Sequence, residues 1–188
     1  MKKEQKLEIL NRLEEMYPEA KAELVFSNPY EMLVATMLSA QCTDKQVNKV
    51  TAELFKVANT PEQMLSLGEE RLMDMIHSCG FFRMKGKHIL ETSRILVEKY
   101  AGQVPADRDT LTELPGVGRK TANVVVSNAF HIPAIAVDTH VFRVSNRIGL
   151  AEAKTVEKTE EQLMAHIPEK DWTDAHLDFS LAQPFMQA

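Results

Sequence analysis

Residues Leu114 to Val125 read LPGVGRKTANVV, and this stretch constrains the chain more than any other. The residue before a proline avoids helical geometry, so Pro115 ends a helix near Leu114. Gly116 and Gly118 permit positive φ and carry no Cβ. A helical pattern then resumes with two cations, Arg119 and Lys120, in its first turn. Such a turn presents loop N–H groups beside the unsatisfied N–H groups of the second helix, where the partial charge is positive. That is an anion site. It suits a phosphate diester and is indifferent to base sequence. The plain alternative is an ordinary helix–helix turn.

The remaining pattern is helical. Apolar residues recur at three- and four-residue spacing, as in Leu7, Ile9, Leu10, Leu13 and Met16, then Met32, Leu33, Met37 and Ala40. Asn28-Pro29 places a cap residue before a first-turn proline. Thr43–Gln46 and Thr60–Gln63 have the capping-box pattern. Gly80, Gly102 and Gly149 sit where helices stop. Ile132–Val137 is strand-like but short and holds Pro133, so it reads as an extended linker. The expectation is an all-α chain of about nine or ten short helices.

A formal net charge of −5 argues, taken whole, against a nucleic-acid partner. Its distribution does not. Residues 150–188 hold eight acids and three bases, which leaves 19 of each in residues 1–149. Phe81–Lys99 carries five bases against two acids, and Arg119–Arg147 four against one. Such patches can track phosphates, although on charge alone solvated helix faces are the plainer explanation. The two cysteines, Cys42 and Cys79, fit a reducing compartment and cannot alone supply a four-ligand metal site. The N-terminus lacks a signal-peptide core, and no run approaches a membrane span, so a cytoplasmic protein is expected.

With these residues in view, LPGVGRKTANVVV followed by AIAVDTHVFRVSNR resembles the helix-hairpin-helix and catalytic segment of the endonuclease III family of DNA glycosylases. The resemblance starts at NPYEMLVATMLSAQCTDKQVNKVTAELF and reaches about His176. It implies two helical lobes with a cleft between them. The helical barrel would span residues 22–131, with the hairpin at about 107–130, and the second lobe would combine residues 1–21 with 132–188. It also implies excision of oxidised pyrimidines from duplex DNA, a β-elimination nick at the abasic site, and a monomer in the bacterial cytosol or nucleoid.

The resemblance assigns roles residue by residue. Lys120 matches the nucleophilic lysine that attacks the sugar C1′; the helix N-terminus and Arg119 both favour its neutral amine. Asp138 matches the catalytic carboxylate. From its position alone Asp138 is a helix cap, and the two roles are compatible. Once the damaged base has left the stack, Gln41 would enter the duplex, and Phe81 would stand near the family's usually aliphatic wedge. An exposed loop amide and a core aromatic are the structural alternatives. Gly116, Val117, Gly118 and Arg119 would meet the phosphates, with Arg83, Lys85 and Lys87 behind Phe81. His140 either touches DNA or packs.

The chain departs from the family at its end. After DWTDAH it runs LDFSLAQPFMQA, without the four-cysteine [4Fe–4S] segment, so no metal or cofactor is expected. One allowed back-translation of LDFSLAQPFM reads in another frame as LIFHWRNHLC, which raises the expectation of a frameshift. The alternative function is a non-catalytic DNA-binding remnant. An adenine-mismatch enzyme is disfavoured, because that relative lacks a lysine at position 120.

Overall fold

The computed structural model describes residues 3–16 and 23–175. The tail from His176 to Ala188, on which the frameshift expectation rests, lies outside the described residues. Among them ten α-helices follow in order: α1 (Lys3–Met16), α2 (Pro29–Ser39), α3 (Asp44–Val57), α4 (Pro61–Leu67), α5 (Glu69–Ile76), α6 (Phe82–Tyr100), α7 (Arg108–Thr112), α8 (Arg119–Phe130), α9 (Thr139–Arg147) and α10 (Val156–His166). A short 3₁₀ turn covers Glu169–Asp171. The described residues contain no strand, and Ile132–Val137 connects helices as an irregular segment.

Two compact units emerge: Glu23–Phe130, and Met1–Ala22 with His131–Ala188. The first is built around α2, whose residues Tyr30 to Leu38 are all buried. A helix that is apolar on every side must be surrounded, and α3, α6 and α8 pack on it. Fully burying each Leu, Met or Val of α2 contributes about 1.5–3 kcal/mol. Its N-terminus is capped by Asn28 Oδ1, which accepts from the Glu31 N–H at 2.8 Å. Glu31, itself buried, accepts from the Ser27 N–H and hydroxyl at 2.6 and 2.8 Å. Tyr30 and Ser93 share a buried hydroxyl contact of 2.6 Å, and Ser93 also donates to the Ile89 carbonyl.

In the other unit, Ile135, Val137, Val141, Val144, Leu150 and Leu163 make a core, and Ile9 and Leu10 of α1 pack against it. The Lys6 ammonium donates to the Leu150 carbonyl at 3.1 Å. The beginning of the chain thereby joins a core made largely of its later residues.

Three local expectations need correction. Thr43 and Thr60 do cap α3 and α4, but neither capping box closes on itself. Gln46 donates its side-chain amide to Ser78, and Gln63 accepts from the Asn59 N–H. Each glutamine found a better-placed partner than its own cap residue. Gly102 and Gly149 adopt left-handed φ of 76° and 77° as stops, but Gly80 does not. The left-handed residue there is Phe81, at φ 57°.

Candidate functional site

The hairpin is assembled from short-range bonds. Asp107 caps α7 by accepting from the Thr110 N–H at 2.8 Å and its hydroxyl at 2.6 Å. These bonds hold the Asp107 carboxyl below its ordinary value. Leu111, Leu114 and Val117 are buried and anchor the turn from inside. The Val117 N–H closes onto the Leu114 carbonyl at 3.1 Å, and the Thr92 hydroxyl of α6 donates to the Pro115 carbonyl at 3.0 Å. Val117 therefore faces inward and offers no side chain to a ligand.

The two glycines have different reasons to exist. Gly116 has φ +75°, and a Cβ there would lie 2.7 Å from His88 Nδ1. Both the backbone and the close approach of His88 demand glycine. Gly118 does not use the positive φ that glycine permits, and a Cβ there would meet nothing within 4 Å. Nothing inside the protein requires glycine at 118; the open space is on the outer face of the turn. Among the described residues, the N–H groups of Gly116 and Gly118 donate to no protein group. Arg119 and Lys120 follow, both exposed, on the first turn of α8. That turn has the open N–H groups and nearby cations that an anion site requires.

Gln41 and Phe81 stand at a second place in the same unit. Both are exposed and left-handed, at φ 53° and 57°. A non-glycine residue in that region costs about 1–3 kcal/mol and persists where its surroundings enforce it. The two turns touch: a Cβ on Gly80 would sit 3.7 Å from the Gln41 carbonyl oxygen. Phe81 is 62% exposed and is therefore not a core aromatic. Met84, one helical turn on, is 55% exposed, and the Arg83 guanidinium lies 5.4 Å from the Phe82 ring centroid. Lys85 does not join this surface, contrary to its place in the expected basic patch. It is 6% exposed and donates to the Leu38 carbonyl of α2 at 2.8 Å. The helix register turns Lys85 inward toward the carbonyl end of α2, where an ammonium is favourable.

Asp138 caps α9 through Oδ1, which accepts from the His140 and Val141 N–H groups at 2.8 Å each. The capping reading of this residue is thus realised, and its carboxylate is held in one orientation. His140 is half-buried on the first turn of α9. A further carboxylate escaped the sequence reading. Asp44, half-buried at the start of α3, is pushed above its ordinary pKa by burial and by Glu23, while the positive charge of Lys120 pulls it down. An acid within electrostatic reach of Lys120 is invisible in sequence, since 76 positions separate the two (120 − 44).

Two helices joined by a tight turn with open amides, followed by a cation pair on an all-helical frame, make a helix-hairpin-helix protein. The family model for the HhH-GPD superfamily base excision DNA repair protein matches residues 34–169. Endonuclease III of Escherichia coli K12 is 52% identical over 176 residues, which cover 94% of this chain and 83% of that protein. The Bacillus subtilis 168 enzyme is 52% identical over 168 residues, covering 89% and 77%. The solved structure of a trapped endonuclease III–DNA covalent intermediate superposes with a TM-score of 0.94 at 46% identity, covering 98% of this chain and 87% of that one. The chain belongs to the endonuclease III family, and it is a base-excision DNA glycosylase.

Proposed function

We propose that this enzyme excises oxidised pyrimidines from duplex DNA and then cleaves the strand at the abasic site by β-elimination. Bound through the Gly116–Gly118 turn, the duplex would present an extruded nucleotide to Lys120. The neutral Lys120 amine attacks C1′, the C1′–base bond breaks, and the base departs with a proton. Loss of the amine proton and opening of the sugar ring give an imine. Removal of a C2′ proton then expels the 3′ phosphate. The Asp138 carboxylate stabilises positive charge on the sugar as the base leaves and takes part in proton transfer near Lys120. Gln41 and Phe81 occupy the space left by the extruded nucleotide, and their rigid turns lower the ordering cost of that insertion. His140 contacts the strand beside Asp138.

The single observation that carries this reading is Lys120 in the first turn of α8, directly after the hairpin. The similarity to a trapped covalent endonuclease III–DNA complex supports it. Borohydride reduction on an abasic duplex tests it: a covalent adduct that vanishes in Lys120→Ala is expected. A normal adduct in that variant makes another amine the nucleophile.

The family's iron–sulfur cluster does not fit this chain. Four thiolates are needed, and the chain has Cys42 and Cys79, both in the Glu23–Phe130 unit. We propose that this chain works as a cluster-free monomer in the cytoplasm. No described helix is long and apolar enough to cross a membrane.

A further inference from the structure

We propose that Cys42 and Cys79 are a redox pair whose intramolecular disulfide disables the Gln41–Phe81 wedge. Cys42 directly follows Gln41, and Cys79 lies two residues before Phe81. The turns that carry the two cysteines meet, since a Cβ on Gly80 would sit 3.7 Å from the Gln41 carbonyl oxygen, and the Cys42 side chain is near enough to raise the Cys79 thiol. Cys42 is partly exposed, whereas Cys79 is fully buried. Each cysteine N–H closes a tight turn, onto the Ser39 carbonyl at 3.0 Å and the Ile76 carbonyl at 2.8 Å.

This asymmetry sets the order of events. Burial and the neighbouring Cys42 push the Cys79 thiol up to about 11, with the Lys85 ammonium opposing them. Cys42 therefore meets the oxidant and Cys79 resolves the product. With a hydroperoxide as oxidant, the Cys42 thiolate attacks one peroxide oxygen and the O–O bond breaks. Cys42 becomes a sulfenic acid, and the leaving oxygen takes up a proton. The Cys79 sulfur then attacks the Cys42 sulfur, the S–O bond breaks, and the leaving hydroxyl departs as water with the Cys79 proton. The two sulfurs lose two electrons, which the peroxide gains. A cytosolic pair of this kind is transient rather than structural.

The cost falls on the wedge. A disulfide needs sulfurs about 2.05 Å apart in a narrow dihedral range, closer than two unbonded thiols can approach. Drawing the sulfurs together shifts the two turns beside the left-handed Gln41 and Phe81. Those residues are the ones assigned above to fill the duplex, so the functional half of the proposal rests on that assignment.

The full chain is treated with hydrogen peroxide, then quenched and split into two measurements. Intact mass without reductant, followed by peptide mapping, is expected to show loss of two hydrogens and a Cys42–Cys79 crosslink. This readout needs no DNA. Affinity for a duplex with a stable abasic analogue is expected to fall severalfold and to return with dithiothreitol. Cys42→Ser is expected to bind as well as the reduced parent and to ignore peroxide; Cys79→Ala serves as the second insensitive variant. Over-oxidation of Cys42 alone, or crosslinks only between molecules, overturns the proposal. So does a Cys42–Cys79 disulfide that leaves affinity unchanged. If the reduced parent binds the duplex but Gln41→Ala and Phe81→Ala bind equally well, the wedge assignment fails instead, and the disulfide readout still stands.

Discussion

Lys85 donates its ammonium to the Leu38 carbonyl at 2.8 Å, which fastens the helix after Phe81 to the helix before Gln41. The side chain is only 6% exposed, so the bond is largely shielded from water. Lys85→Met is expected to cost about 1.5–3 kcal/mol, the range for a hydrogen bond to a charged group. The Leu38 carbonyl loses its donor, and the two left-handed turns lose a common support. Urea unfolding checks the first effect, and duplex affinity checks the second. A variant that is fully stable and binds normally would show that Lys85 does not position the turns.

The two hairpin glycines should fail in opposite ways. Gly116→Ala forces a side chain into left-handed φ and against the His88 ring, and should destabilise the fold by about 1–3 kcal/mol. Gly118→Thr meets open space and supplies a side chain suited to a helix cap. Its stability should hold while its affinity falls about equally for all duplex sequences. Binding of the parent should lose roughly 0.9 log units per log unit of salt for each phosphate neutralised. Thermal melting beside salt-dependent binding separates the two glycines.

Lys120 and Asp138 should separate two kinds of catalytic loss. Lys120→Ala should abolish the trapped adduct and largely keep duplex binding, which the loop amides sustain. Asp138→Asn keeps a competent cap for α9 but removes the charge. Base excision should fall by ~10²-fold or more. Trapping on an already abasic site should fall less, since no base has to leave. Single-turnover assays on both substrates give the comparison.

Asp44 makes a pH-dependent prediction. Its folded pKa lies above the ordinary 3.8, mainly because burial penalises the charged form. The folded state therefore binds the proton more tightly than the unfolded chain does. The group's contribution is most favourable below pH 3.8, weakens as pH rises through the raised pKa, and stays unfavourable above it. Asp44→Asn should melt higher than the parent at neutral pH, with the gap closing toward acid. Equal melting temperatures across that window would show that burial does not strain this carboxylate.

Purified protein should contain no iron and no visible cluster absorption. Two cysteines, both placed in the Glu23–Phe130 unit, cannot complete a four-thiolate site. Stoichiometric iron with a cluster spectrum would refute this.

Much of the site was legible because it is local. A proline, two glycines and a cation pair specify a helix stop, a turn and a helix start within a dozen residues. An aspartate before an amphipathic run specifies a cap, and Asp107, Asp138, Thr43 and Thr60 all cap as their side chains permit. The endonuclease III likeness was legible for the same reason, since LPGVGRKTANVVV and VDTHVFRV are continuous strings. What the sequence could not decide was which way a residue faces once helices pack. Lys85 looked like one more exposed cation until α6 turned it toward the end of α2. Gly116 looked interchangeable with Gly118 until His88 was brought against it. Phe81, not Gly80, took the left-handed position. Asp44 came within electrostatic reach of Lys120, and the turn of Cys42 met the turn of Cys79, across long stretches of chain. Local sequence sets φ preferences and caps, because those involve neighbours three or four residues away. Burial, strain and charge pairing depend on which distant surfaces meet, and only the packed helices determine that.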